Sequence, residues 1–409
     1  MAVLADQGDS DTVSASLVES DQITAARILI VDDDPFISAM AQAYLEHAGF
    51  TRIDVAEDGQ ECLDRLQGES GPPDIVILDI QMPVLDGLEV LRRMRATTRF
   101  QDLPVLVTTG LDESSQRNEA IRAGATSLIS KPFDAPLLIE KTRSLVERQI
   151  LVQQLNLYRA RVSQELEMAQ ELQLSILPDE DTVQLIAERY GIRVSSQFHS
   201  SSELAGDFWG VAPLDDTRLA VYMVDIAGHG IAAAANTFRL HEIINSEDMN
   251  GLSPAAFLAR VNARFHARIP AGQFATIFYG VVDVARHTFT YASAAAPPPL
   301  IGTRGNGATR PLANRGLLAG AIGGASYTEH VEPLRVEDYL FFYSDALPEA
   351  LTPSGELLGD DAPAELLVSA LDRNPRAPLL PLLQDFRART TSPLQDDLTL
   401  VFLSRERER

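Results

Sequence analysis

The sequence predicts two domains of different class joined by a long helix. The first is a doubly wound α/β domain on a parallel sheet. The second is an α+β domain, a stacked β-sandwich flanked by helices. Three observations carry this. From Arg27 onward, short β-rich runs alternate with segments of helical period. From Ala135 to Leu177 that period persists with no Gly or Pro after Pro136. Beyond Pro178 the strand runs grow longer and alternate more, and the helical segments are grouped. At 409 residues the chain is long for one core, which agrees with two.

Residues 1–26 are polar and acidic with scattered aliphatics, and are expected to be a flexible leader. Residues 27–134 hold the runs RILIV, TRIDVA, DIVIL, LPVLVT and TSLIS, separated by helical segments such as FISAMAQAYLEHAG and DGLEVLRRMRA. A continuous apolar run such as IVIL suits a strand buried on both faces. Residues 135–178 read as a helical linker. Leu145, Val152 and Leu166 share one heptad position; Leu155, Val162, Ala169 and Ile176 share the position three residues on. Arg159 and Gln173 interrupt the first stripe. The pattern fits either a coiled coil, hence a homodimer, or a helix that packs on its own domains. Pro178 ends it.

Residues 179–404 contain GIRVSSQF, RLAVYMVD, QFATIFYGVVDV, TFTYASA, YLFFYSD and LTLVFL, with helices near 229–246, 254–268, 362–372 and 378–390. The segment GTRGNGATRPLANRG (302–316) is expected to be a surface loop, because no strand-then-helix context makes its glycines a phosphate motif. Residues 405–409 form a charged tail.

Composition narrows the function classes. Apolar content of 45% and charged content of 22% are those of a globular protein. Acids outnumber bases 58 to 34, a formal charge of −24, which opposes a nucleic-acid partner. No basic helix-turn-helix pattern follows the first domain, so a DNA-binding output is not expected. A single cysteine, Cys62, excludes an internal disulfide framework. No apolar run approaches the roughly 18 residues of a membrane span. A cytoplasmic protein is expected.

Chemistry in an open parallel sheet collects at the carboxyl ends of its strands. The first strand ends in Asp32 and Asp33, the third in Asp79 and the fourth in Thr108; Lys131 follows the fifth. Three carboxylates in one crevice repel each other unless a cation sits among them, and oxygen ligands favour Mg²⁺. An aspartate so placed can attack a phosphoryl donor while the metal, a hydroxyl and an ammonium screen the phosphate oxygens. VDDDP, DIVILDIQMPVLDG, VTTG and SLISKPF resemble the receiver domain of two-component response regulators. That resemblance implies a flavodoxin-like five-stranded parallel sheet of order 2-1-3-4-5. It makes Asp79 the phosphoacceptor, with Asp32, Asp33, Asp79 and the Gln81 carbonyl around Mg²⁺ and Thr108 and Lys131 on the phosphate. A sensor histidine kinase or phosphotransfer protein is the implied donor. Leu128 stands three residues before the lysine, where many receivers carry an aromatic switch residue; signalling is therefore expected to run through the last helix instead.

In the second domain four aspartates lie at strand edges beside small residues, in LAGDFWG, VDIAGHG, FYSDALPEA and LQDDLTLVFL. Any one of them alone suits a turn or helix cap, and Asp225 could cap the helix after it. Four together point to a shared divalent metal site, suited to in-line attack on a phosphate ester. The domain resembles the metal-dependent serine/threonine phosphatases of the protein phosphatase 2C (PPM) superfamily, in its SpoIIE/RsbU branch, and MAQELQLSILP resembles that branch's lead-in helix. The resemblance implies Asp207, Asp225 and the Ile226 carbonyl as metal ligands, with Asp345 and Asp396 serving a second ion. Asp397 becomes a neighbour rather than a ligand. Two Mn²⁺ or Mg²⁺ ions would hold the attacking water. Ala205, Gly210, Ala346 and Ala295-Ala296 depart from the branch pattern without removing a ligand. His229 is placed near the site without a role.

The combined expectation is a phosphorylation-regulated response regulator with protein serine/threonine phosphatase output. By the resemblance, its substrate is a phosphorylated STAS-type anti-sigma-factor antagonist in a partner-switching pathway. The alternative is an RssB-like adaptor that binds a sigma factor or another regulator without significant phosphatase activity.

Overall fold

The computed structural model describes residues 18–68, 71–110, 114–201, 204–228, 230–270, 272–305 and 309–406. The chain divides into two compact units, residues 1–162 and 163–409.

The first unit runs α1 (Ser20–Thr24), β1 (Arg27–Val31), α2 (Pro35–His47), β2 (Arg52–Ala56), α3 (Gly59–Gln67), β3 (Ile75–Asp79), α4 (Gly87–Ala96), β4 (Val105–Thr109), α5 (Ser114–Ala123) and β5 (Ser127–Ser130), then the start of α6 (Ala135–Leu174). The five strands are parallel in the order β2-β1-β3-β4-β5, as expected. Alternation along β1 and β3 sends side chains to both faces. Leu29, Val31, Val76 and Leu78 pack with Leu66, Leu91 and Met94 of α3 and α4. Ile28, Ile30, Ile75 and Ile77 pack with Leu45 of α2 and Leu138, Leu145 and Val146 of α6. Local capping agrees with this order. Asp34 accepts from the Phe36 and Ile37 amides with Pro35 in the first turn of α2, and Asp86 accepts from the Glu89 amide to start α4.

Part of the expected leader belongs to this core. Residues 20–24 are helical, and Val18, Ile23 and Ala26 are buried against β1, α2 and α6. Val18, Ile23 and Ala26 are aliphatics of that stretch, and they anchor its described part. Helix α6 ends at Leu174, three residues short of the periodic stretch, where the 175–177 amides turn back to Glu171, Gln173 and Leu174.

The second unit comprises the last turns of α6 and then α7 (Glu180–Tyr190), β6 (Ile192–His199), β7 (Phe208–Pro213), β8 (Arg218–Ile226), α8 (Ile231–Ser246), α9 (Pro254–His266), β9 (Ala275–Asp283), β10 (Thr288–Ala294), β11 (Leu300–Thr303), β12 (Thr309–Pro311), β13 (His330–Pro333), β14 (Asp338–Tyr343), α10 (Ala346–Glu349), α11 (Ala362–Arg373), α12 (Leu379–Arg389) and β15 (Leu398–Arg405). Two five-stranded sheets form, β13-β10-β9-β8-β7 and β12-β11-β14-β15-β6. Their facing sides share one core, with Trp209, Val221, Phe278 and Tyr291 against Val194, Leu340, Phe342 and Val401. The outer face of the first sheet is covered by α8 and α9, through Leu240, Ile244, Phe257 and Phe265. The outer face of the second is covered by α11 and α12, through Leu366, Leu367, Leu382 and Phe386. The result is a helix–sheet–sheet–helix sandwich.

Two local expectations change. The segment 302–316 carries strand pairing, since Leu300, Ile301 and Gly302 face Pro311, Arg310 and Thr309 across an antiparallel ladder. Short, glycine-containing strands lack the alternation that reveals longer ones. The tail expected from 405 starts later, because Arg405 is buried and its guanidinium donates to the Leu334 and Val284 carbonyls.

Candidate functional sites

In the first unit the parallel register brings the strand ends together. Asp79 lies opposite Thr108, and Asp32 and Lys131 follow β1 and β5 directly. Asp79 Oδ1 accepts from the Ile80 amide at 2.9 Å and from Thr108 Oγ1 at 3.2 Å. Lys131 Nζ stands 2.9 Å from Asp79 Oδ2 and 2.7 Å from Asp32 Oδ2. Ligand oxygens of Asp32, Asp33 and Asp79 lie within 4.8 Å of one another. Asp32 and Asp79 are buried and Asp33 is exposed. Of three consecutive aspartates, two face the crevice while Asp34 caps α2.

One ammonium among three carboxylates leaves the crevice short of positive charge. Burial raises the Asp32 carboxyl above its usual range even though Lys131 pulls it down. Burial opposes the Lys131 charge, but hydrogen bonds to Asp32 and Asp79 outweigh it and hold the ammonium above the usual lysine value. Hard oxygen donors with a charge deficit fit Mg²⁺. Gly87 fixes the wall. A Cβ there would come 1.9 Å from the Asp79 carbonyl oxygen, so only glycine lets α4 start so close to the end of β3. Leu128, in β5, packs part-buried against the core. Gln81 is exposed, two residues beyond β3.

In the second unit the expected aspartates gather from both sheets. Asp207 precedes β7 and Asp225 is the penultimate residue of β8, beside it in the ladder that pairs Phe208 with Val224. Asp345 follows β14 and Asp396 precedes β15, which pair through Tyr343 and Leu400. Asp207 accepts from Thr399 Oγ1 of the other sheet at 2.6 Å. Burial and neighbouring carboxylates dominate the electrostatics. Burial, then Asp345 and Asp396, push Asp225 up to about 7. Burial, then Asp396 and Glu349, push Asp345 up to about 6. Asp207 is raised well above the usual range by burial and then by Asp225. Asp396 is exposed, and its Oδ1 accepts from the Asp397 amide.

This constellation is wider than the first. Among the described residues only Asp32, Asp33 and Asp79 bring three ligand atoms within 4.8 Å. Buried carboxylates whose neighbours are carboxylates still suit divalent cations, with pairs of them on separate ions.

Several supporting residues had no role in the sequence reading. Asp397 is buried; its carboxylate accepts from the Gly206 amide at 2.7 Å, from the Ser201 amide at 2.8 Å and from both neighbouring serine hydroxyls. It therefore ties Ser200, Ser201 and Gly206 to the residue before β15. Gly206 is glycine because a Cβ would stand 2.8 Å from the Ile226 carbonyl oxygen. Thr399 is the one signal visible beforehand, a hydroxyl inside the apolar run LTLVFL. Asp225 caps no helix, since α8 starts at Gly230 with no side-chain cap. Gly228 and Gly230 serve by positive φ, 98° and 76°, with open space where a Cβ would be. Gly210 leaves room for the Tyr222 ring, which a Cβ would meet at 2.2 Å. Ala346 is buried at the start of α10. A pocket of about 250 Å³ beside Asp396 is lined by Ala346, Glu349, Leu351 and Pro393 among others. His229 lies outside the described residues.

Comparisons with known proteins assign both units. Residues 28–143 match the family model of the response regulator receiver domain. Residues 215–406 match that of stage II sporulation protein E, SpoIIE; this span includes Asp225, Asp345 and Asp396 and begins after Asp207. Over 122 residues the chain is 41% identical to response regulator MprA of Mycolicibacterium vanbaalenii, covering 30% of this chain and 51% of that protein. The chain thus spans about half the length of the curated relatives it matches. The SiaA-PP2C domain of Pseudomonas aeruginosa superposes with a TM-score of 0.52 at 20% identity, over 60% of this chain and 97% of that one, a likeness of fold.

Proposed function

We propose that this chain, which carries a response regulator receiver domain followed by a SpoIIE-type domain of PP2C-like fold, is a phosphorylation-controlled protein serine/threonine phosphatase. The observation that carries the reading is the set of buried Asp207 and half-buried Asp225 and Asp345, each raised by loss of solvent and by neighbouring carboxylates where the two sheets meet. Holding like charges in a dry place is costly, and divalent cations relieve that cost.

In the receiver, a carboxylate oxygen of Asp79 forms the bond to phosphorus as the donor's bond to the phosphoryl group breaks. The Lys131 ammonium and the Thr108 hydroxyl sit where they neutralise the transferred group. Asp32, Asp33 and the Gln81 carbonyl would hold Mg²⁺ with Asp79. In the second domain Asp207, Asp225, Asp345, Asp396 and the Ile226 carbonyl would hold two Mn²⁺ or Mg²⁺ ions. When bound, those ions supply a water activated for attack on a phosphate ester. Thr399 orients Asp207, and Asp397 keeps the adjoining loop in place. The proposed partners are a histidine kinase or phosphotransfer protein and a phosphoserine or phosphothreonine protein. The STAS-type antagonist is the substrate that the SpoIIE likeness favours.

Hydrolysis of p-nitrophenyl phosphate should require Mn²⁺ and fall by about two orders of magnitude or more in Asp225→Asn. Equal, near-zero rates in both proteins would refute the enzyme and leave an adaptor. Beryllofluoride should change the rate on a phospho-STAS substrate, and Asp79→Ala should abolish that response. A response that survives Asp79→Ala would remove Asp79 from its role.

A further inference from the structure

Gln173 was expected to interrupt a heptad stripe. Instead it is buried at the last turn of α6, while Met168, Leu172 and Leu174 around it are exposed. Both ends of its amide are engaged. Nε2 donates to the Ala205 carbonyl at 2.8 Å, and Oε1 accepts from the Ala205 amide at 3.0 Å. The side chain thus pairs with both backbone groups of one residue, as a neighbouring β-strand would. Neither atom can be exchanged for the other without losing both bonds.

Ala205 lies two residues before Asp207, and the intervening Gly206 is held tightly. Its amide donates to Asp397 at 2.7 Å, and its carbonyl accepts from Thr237 Oγ1 of α8 at 3.2 Å. Its missing Cβ lets it approach the Ile226 carbonyl. Four elements therefore converge on the Ala205–Gly206 backbone: α6 through Gln173, α8 through Thr237, the start of β15 through Asp397 and β8 through the Ile226 amide. Of these, α6 is the one that also belongs to the receiver. Its first turns bury Leu138, Leu145 and Val146 in that core, and Arg143 donates to the Ala48 carbonyl at 2.8 Å.

We propose that Gln173 is a positioning residue, through which the end of α6 sets where the Ala205–Asp207 backbone lies and so how Asp207 is presented to a divalent cation. This rests on the metal-site reading of the second domain. A leucine would continue the apolar stripe but would strand the Ala205 amide in a buried place and leave its carbonyl only the longer bond from Thr237. A register or tilt change in α6 must break both bonds or carry Ala205 with it. Aspartate placement is thereby tied to the state of the helix.

The test uses the full chain, wild type, Gln173→Ala and Gln173→Glu. Glutamate keeps the acceptor for the Ala205 amide and loses the donor to its carbonyl. Hydrogen exchange of the 204–208 segment, with and without beryllofluoride, is one readout. Mn²⁺ affinity, from the free-ion electron paramagnetic resonance signal, is the other. In Gln173→Ala we expect faster exchange at 204–208 and Mn²⁺ binding weaker by about tenfold, the equivalent of one lost buried hydrogen-bonding pair. The beryllofluoride response at 204–208 seen in wild type should vanish, while the response within 135–162 persists. Gln173→Glu should show the same changes, smaller, and stands in if the alanine variant does not fold. Wild-type exchange at 204–208 in a folded Gln173→Ala overturns the proposal. So does a wild-type chain in which beryllofluoride leaves 204–208 unaltered. The exchange readout needs no catalysis, so a chain that hydrolyses nothing still tests the latch. Failure of the phosphatase reading shows separately, as absent p-nitrophenyl phosphate hydrolysis.

Discussion

The two carboxylate sites solve one electrostatic problem in opposite ways. The receiver crevice has its own cation, Lys131, within 2.9 Å of both buried aspartates. The second-domain site crowds Asp207, Asp225 and Asp345 with other carboxylates away from solvent, and all three carboxyls are raised. A built-in ammonium pairs the first site's carboxylates without an added ion. The second site has only protons or added cations to relieve its repulsion. In the proposed function the same residue type would therefore serve a switch in one place and a metal-dependent centre in the other.

Removing Lys131 should make the first site behave like the second. Lys131→Ala leaves Asp32 and Asp79 facing each other, and should cost the receiver about 2 kcal/mol in chelator. Mg²⁺ should recover most of that loss, read as the denaturation midpoint with and without the ion. An ion-independent loss would show that Lys131 acts by packing.

The second test is pH. Asp225 and Asp345 titrate near 7 and 6 in the folded domain against 3.8 for an ordinary aspartate. The folded state therefore binds more protons than the unfolded chain. Their contribution to stability is full below the ordinary value and is lost as pH rises through 6 and 7. In metal-free protein the melting temperature of the second domain should fall between about pH 4 and pH 7, and Asp225→Asn should flatten the slope. The receiver transition should change less over that range. A flat wild-type profile would contradict the buried-carboxylate account.

The smallest effect is expected at Thr399. Thr399→Val removes one 2.6 Å hydrogen bond to Asp207 and should weaken Mn²⁺ binding about fivefold, the equivalent of about 1 kcal/mol. An unchanged affinity would mean that Asp397 and Gln173 alone place that carboxylate.

Legibility in the sequence followed the same division. The receiver sheet was readable because each strand is a short apolar run and its functional residues sit directly at strand ends, where local order determines position. The second sandwich was readable through its long alternating strands. β7, β11, β12 and β13 escaped because they are short, glycine-containing or exposed, so pairing with neighbours rather than local pattern defines them. The bond from Gln173 to Ala205 spans 32 positions, and no periodicity announces it. A polar residue in an apolar stripe signalled a break; only the fold shows that the break points inward. The aliphatics of 18–26 were visible, but their burial depends on α2 and α6 being there to receive them.

The hydrogen bond from Thr399 to Asp207 crosses from one sheet to the other. A slip of the sandwich halves by a fraction of a hydrogen-bond length would separate Asp207 and Asp225 from Asp345 and Asp396 before the core itself opened. The site is then a strain gauge for the sandwich: ion affinity should decay at lower denaturant than far-UV signal does, and a chain can lose its ions while keeping its shape.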